Sequence, residues 1–261
     1  MPYTLITGAS KGIGKSMAME CAKMHQDLIL AALPDDGLEC VAQEIANEYS
    51  VDVKTYPLDV TNRKEVEAFY EWCKNHKLAV NVLINNAGMG LQGQFCILTL
   101  EENLQMMNLN MQSMVTLTHT FIPMLKEQKE SYILNVGSLA SYLKFPYKAV
   151  YSGTKNFVLA FSDALRQELK NTSISVSCLC PGPTMTNHLV AARTEEQGLK
   201  AKLLIKSASF VAEAGVEGLF KGKRTIIPGK FNRLLIFLIK HLPSSTSTRV
   251  AEKMFANAKE K

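Results

Sequence analysis

Tyr3-Thr4-Leu5-Ile6-Thr7-Gly8-Ala9-Ser10-Lys11-Gly12-Ile13-Gly14 is a short β-branched run that opens into three glycines. The residues that follow, Lys15 to Met24, read as helix, so the stretch is strand, tight turn and helix start. Glycines permit backbone conformations and close approaches that a Cβ forbids. The helix start adds free amides and the positive end of its dipole. Together they suit the pyrophosphate of a dinucleotide. The spacing Gly8-x-x-x-Gly12-x-Gly14 differs from the commoner Gly-x-Gly-x-x-Gly, and by itself it also suits a merely structural turn.

Outward from this turn, short β-branched runs alternate with longer helical segments. Strands are expected at Tyr3–Thr7, Asp27–Ala32, Asp52–Leu58, Val80–Asn85, Tyr132–Gly137, Ser173–Cys180 and Thr225–Pro228. Helices are expected near Gly12–Met24, Gly37–Tyr49, Arg63–Asn75, Glu102–Gln128, Ala149–Asn171 and Ser207–Lys221. This order predicts an α/β fold: a single-domain, doubly wound parallel sheet of Rossmann type, with about seven strands and helices on both faces. There is no internal repeat or linker-like tract to divide it. The domain is expected over 1–228, with a substrate lid near 183–206 where the alternation lapses. A basic, apolar helical extension over 229–261 is expected to pack on the same domain.

The chain has 261 residues, with 29 Lys+Arg against 24 Asp+Glu, an ordinary globular composition. Lys221–Lys261 holds ten basic and two acidic residues, so the rest of the chain is slightly acidic and nucleic acid is not an expected partner. The longest apolar run, Leu234 to Ile239, is far shorter than the roughly 20 residues of a membrane span. No secretory signal pattern precedes the first strand, and a cytoplasmic location is expected. The dispersed Cys21, Cys40, Cys73, Cys96, Cys178 and Cys180 show no zinc spacing; they are expected to be buried, reduced thiols, and no metal site is expected.

Further motifs fall at successive strand ends: Asp59-Val60, Asn85-Asn86-Ala87-Gly88, Ser138, and Tyr151-x-x-x-Lys155 on the next helix. With the glycine turn, they make the sequence resemble the classical, single-domain branch of the short-chain dehydrogenase/reductase family, from Tyr3 to about Pro228. The resemblance implies that Gly8, Ser10, Lys11, Gly12, Ile13 and Gly14 cradle the cofactor. It implies that Asp59 and Val60 meet the adenine and that Asn86, Ala87 and Gly88 line the cofactor. Pro181-Gly182 is implied beside the nicotinamide, with Thr184 or Thr186 on its carboxamide.

Lys11, just before the second glycine, is basic as in family members that neutralise the NADP 2′-phosphate. Asp35 and Asp36 fall in the window where NAD-specific proteins place an acidic residue, but they follow the strand end rather than forming it. NADP(H) is therefore expected over NAD(H).

Tyr151 and Lys155, one helical turn apart, share a face if Ala149–Asn171 is a helix. A neighbouring ammonium lowers a phenol's pKa, so Tyr151 can act as proton donor or acceptor with Lys155 beside it. Ser138, 13 residues before Tyr151, can hydrogen-bond the substrate oxygen. Relatives place a Pro 13 residues beyond a fourth catalytic Asn, which selects Asn110, 13 before Pro123, over Asn108. The resemblance implies hydride transfer between nicotinamide and a carbonyl or alcohol carbon, in a homodimer or homotetramer. Apolar lid residues, among them Leu189, Val190, Leu199 and Leu203, point to a hydrophobic small-molecule substrate. A catalytically silent NAD(P)-binding sensor on the same fold is the alternative, which the full Asn110, Ser138, Tyr151, Lys155 set disfavours. His188 reads as an exposed loop residue. The apolar, basic segment after Gly229 suits the surface of an anionic membrane, but packing over the cleft or a partner subunit is the favoured expectation.

Overall fold

A computed structural model describes residues 2–185 and 205–241. Its strands are β1 (Tyr3–Thr7), β2 (Asp27–Ala32), β3 (Val53–Pro57), β4 (Val80–Asn85), β5 (Ser131–Val136), β6 (Ile174–Leu179) and β7 (Thr225–Ile226). They form one parallel sheet in the order β3-β2-β1-β4-β5-β6-β7. The helices are α1 (Gly12–Lys23), α2 (Leu38–Tyr49), α3 (Arg63–Asn75), α4 (Leu100–Met107), α5 (Ser113–Lys126), α6 (Ala149–Glu168), α7 (Ala208–Phe220) and α8 (Lys230–Lys240).

The near-continuous apolar strands are what a parallel sheet covered on both faces requires. Alternate residues divide between two cores. Leu5, Ile29, Leu83, Ile133 and Val176 pack with Phe69, Phe121 and Leu165 of α3, α5 and α6. Ile6, Leu28, Leu30, Ile84, Leu134 and Leu179 pack with Met17, Ile45 and Val216 of α1, α2 and α7. Strand order reverses between β1 and β4, which opens a crevice at their carboxyl ends.

Some expectations change. Within the helical stretch expected over Glu102–Gln128, a π-helical turn, Asn108–Gln112, separates α4 from α5, where the family resemblance implies a local distortion at Asn110. The Asn110 side chain bridges to the backbone of Met89 there, and such turns often mark functional positions. The last strand stops at Ile226 rather than Pro228, since proline has no N–H to continue the ladder. Four cysteines are buried, but Cys40 on α2 and Cys96 in the loop before α4 are exposed.

Thr184–Met185 pairs with Lys206–Ser207 at the base of the expected lid. Thr186, His188 and the apolar lid residues lie outside the described residues. On α8, Ile236 and Ile239 are buried against Leu139 and Leu143. Each such side chain contributes about 1.5–3 kcal/mol of burial, so α8 packs on the sheet domain. Among the described residues, no helix is long and apolar enough to cross a membrane.

Candidate active site

The crevice holds a cavity of about 570 Å³ that runs from the glycine turn to Tyr151. At one end, Gly8 (φ 64°) and Gly12 (φ 57°) adopt the left-handed conformation in which glycine is unstrained. Gly14 is needed for space. A Cβ there would overlap the Gly8 carbonyl oxygen and lie 2.5 Å from the Asn86 Nδ2. Asn86 secures the turn to β4 by donating from Nδ2 to the carbonyls of Thr7 (2.9 Å) and Gly8 (3.1 Å). The Thr7 hydroxyl accepts from the N–H groups of Asn86 and Ala87 (3.1 and 3.2 Å). No side chain caps the start of α1, where Gly12 and Ile13 line the cavity. Its free amides and dipole are thus available to an anion. Asn62, Thr99 and Ser207 cap α3, α4 and α7, while α2, α6 and α8 begin uncapped like α1.

At the rim, Lys11 Nζ lies 2.7 Å from Asp36 Oδ1, and the Ser10 hydroxyl donates to Asp36 Oδ2 at 2.5 Å. Lys11, followed by Ser10, holds the Asp36 carboxyl below its ordinary pKa. The Lys11 side chain is 75% exposed, so this is a solvent-screened pair that separates at little cost.

At the other end, Ser138 follows β5. Its hydroxyl accepts the Ala140 N–H (3.1 Å), capping a short 3₁₀ turn over Leu139–Ser141. Ser138 is the polar side chain that acts on the Tyr151 phenol. Both groups line the cavity. Burial pushes the Tyr151 pKa up, and Ser138 acts against it. The lowering expected from Lys155 is not among the effects on Tyr151, and desolvation sets the direction.

Behind them Lys155, itself lining the cavity, donates to the Val136 carbonyl at 2.9 Å. Burial drives its pKa down to about 8. Asn110 lies deeper, 3% exposed. Its Oδ1 accepts the Met89 N–H (2.9 Å), and its Nδ2 donates to the Met89 carbonyl (2.8 Å) and Thr154 Oγ1 (3.1 Å).

A folded-state pKa near 8 against an unfolded value near 10.4 means that the unfolded chain binds more protons between those pH values. Burying the charged Lys155 costs stability below about pH 8, and the cost is relieved as pH rises toward the unfolded value. The Tm of the wild type is expected to gain on that of Lys155→Met through this window in thermal melts. A gap that stays flat there would contradict the burial of a charged ammonium.

The structure brings Gly8, Ser10, Lys11, Gly12, Ile13, Asn86, Ala87, Gly88, Ser138, Tyr151, Lys155, Pro181, Gly182 and Thr184 to the cavity wall. Gly14 and Asn110 support that wall from behind. Asp59 and Val60 are not on it. The Asp59 carboxylate accepts the N–H and hydroxyl of Thr61 (2.9 and 2.8 Å), and Val60 is buried in the core. Asp36, Lys148, Asn232 and Leu235 were not expected to line the cavity but do. Lys148 Nζ stands 5.9 Å from the centre of the Tyr151 ring. Asn232, a lone amide among the apolar residues of α8, donates to the Pro228 carbonyl at 2.9 Å and faces Gly182. Its isolation in an apolar run was the available signal.

A family model described as short chain dehydrogenase matches residues 2–197. Over 188 residues the chain is 36% identical to the NADP-dependent 3-hydroxy acid dehydrogenase of Schizosaccharomyces pombe, covering 71% of this chain and 73% of that protein. A short-chain dehydrogenase from Sphingobium yanoikuyae, solved in complex with NADPH, is 26% identical with a TM-score of 0.76, covering 93% of this chain and 96% of that one. One from Burkholderia phymatum, in complex with NAD, has a TM-score of 0.80 over 91% of this chain and 92% of its own; at 22% identity this likeness speaks for the fold alone.

Proposed function

The chain belongs to the short-chain dehydrogenase family, and from that premise we propose an NADP-dependent oxidoreductase that moves a hydride between nicotinamide and the carbonyl or alcohol carbon of a hydrophobic small molecule. One observation carries the reading: Ser138, Tyr151 and Lys155 line the same cavity as an uncapped, glycine-cradled helix start. Those residues fit a dinucleotide. Gly8 to Gly14 would hold its pyrophosphate, with Asn86, Ala87, Gly88, Pro181, Gly182 and Thr184 along its length. Bound there, the nicotinamide supplies or accepts the hydride.

The side chains handle the proton. In the reducing direction, Tyr151 donates its phenolic hydrogen to the substrate oxygen as negative charge develops there. Ser138 donates a second hydrogen bond to that oxygen. The positive charge of Lys155 favours the phenolate left behind, opposing the effect of burial. Asn110 is a positioning residue here: its three hydrogen bonds fix Met89 and Thr154 against the cavity's back wall. Leu139, Leu143, Phe145 and Leu235 give the substrate end apolar walls. Leu100, Leu104 and Met107 of α4 and Phe157 of α6 are exposed, which supports a homodimer or homotetramer built on these helices.

Lys11 at the rim supports NADP, its ammonium leaving Asp36 for a 2′-phosphate. Lys11→Ala is expected to reduce the ratio of kcat/KM for NADPH over NADH by roughly 10- to 100-fold, the range for a lost hydrogen bond to a charged group. Steady-state kinetics with both cofactors test this, and an unchanged ratio would remove Lys11 from cofactor choice.

A further inference from the structure

We propose that the outward face of α8 rests on an anionic membrane surface, beside the mouth of the substrate cavity. The helix is apolar on two sides. Its inward side is accounted for: Ile236 and Ile239 are buried against Leu139 and Leu143, while Asn232 and Leu235 line the cavity. The outward side presents Phe231, Leu234, Phe237 and Leu238, each more than half exposed to water. Four large apolar side chains on one helix face are a costly surface for a protein to show to water alone.

The patch extends past the helix. Lys206 lies against Gly229, its Cε 3.6 Å from where a Cβ of Gly229 would stand, and its ammonium is 5.7 Å from the centre of the exposed Phe210 ring. Lys221 and Arg224 are paired with Glu217 and Asp163, whereas Lys206, Lys230 and Arg233 make no ion pair among the described residues. From Lys221 onward the sequence carries ten basic residues against two acidic ones, so acidic partners are scarce within the segment itself.

Charge selects the occupant. A second copy meeting this face about a two-fold axis would bring together two patches that both carry these cations and offer them no acidic partner. A bilayer rich in anionic lipid instead attracts these cations while the phenylalanines and leucines enter the boundary between headgroups and acyl chains. In that pose, an apolar substrate dissolved in the lipid reaches the cavity past Leu235.

Co-sedimentation of the full chain with vesicles of equal parts phosphatidylglycerol and phosphatidylcholine, or of phosphatidylcholine alone, tests the proposal. The wild type is expected in the pellet with the anionic vesicles, with much less at high salt or with phosphatidylcholine alone. Neutralising Lys230 and Arg233 together with Gln is expected to weaken partitioning by roughly fivefold per charge. Phe231→Ser with Phe237→Ser is expected to abolish it without changing Tm; should that variant misfold, the charge variant carries the test. A wild type that stays in the supernatant with anionic vesicles would overturn the proposal, as would binding unaltered by the charge variant. So would a wild-type dimer that the phenylalanine variant converts to monomer in sedimentation velocity while no vesicle binding is seen, which would assign the face to a second copy.

Discussion

Tyr151→Phe is expected to lower kcat by roughly 10²–10⁴-fold, the usual contribution of a positioned acid or base, while NADPH still binds. The variant removes one oxygen and leaves the ring, whose edge packs against Gly90 (3.0 Å to a Cβ placed there). The glycine turn and the uncapped start of α1 are untouched, so the cofactor's site persists. What disappears is the proton transferred to the substrate oxygen; Ser138 can still donate a hydrogen bond there but does not give up its proton. Steady-state turnover with isothermal titration of NADPH checks both halves. Substantial retained kcat would remove Tyr151 from the chemistry, whereas joint loss of binding and turnover would make it a cofactor residue.

Gly14→Ala acts at the opposite end of the cavity and by sterics. The added methyl would collide with the Gly8 carbonyl oxygen and crowd the Asn86 amide that fastens the turn to β4. Neither neighbour is the free end of a flexible side chain, so relief requires the turn itself to shift. Overpacking of this sort costs about 1–3 kcal/mol, and the displaced turn no longer presents its amides to a pyrophosphate. A fall of NADPH affinity by roughly tenfold or more is expected, equivalent to about 1.4 kcal/mol or more, together with a lowered Tm. Wild-type affinity in this variant would place the dinucleotide elsewhere.

The sheet was legible because its strands are buried on both faces: Asp27–Ala32 and Val80–Asn85 are largely apolar runs whose limits match the structure. The turn around Gly8, Gly12 and Gly14 was legible because backbone conformation and close packing restrict what can stand there. Tyr151, Lys155 and Ser138 were picked out by the resemblance to the short-chain dehydrogenase family; helical spacing and the place after β5 alone would not have singled them out. Less was readable where long-range contacts decide. The distortion at Asn108–Gln112 came from the family resemblance and not from periodicity, which cannot encode the contact of Asn110 with Met89, 21 residues away in sequence. The pair of Lys11 and Asp36 arises because the turn after β1 meets the loop after β2. Asp59 shows the converse: its carboxylate serves its own turn at Thr61, a local bond that competes with any ligand. The two sides of α8 could not be separated by sequence, because both are apolar and only packing determines which one is covered.

The central claim is best tested by following the hydride itself. NADPH carrying deuterium at the reactive nicotinamide carbon, offered with a panel of apolar ketones and aldehydes, is expected to yield an alcohol with deuterium on its carbinol carbon. The wild type should transfer the label, and Tyr151→Phe should do so roughly 10²–10⁴-fold more slowly. NADPH that binds tightly while none of the panel is reduced, and none of the matching alcohols is oxidised with NADP, would contradict the account and indicate a nucleotide sensor.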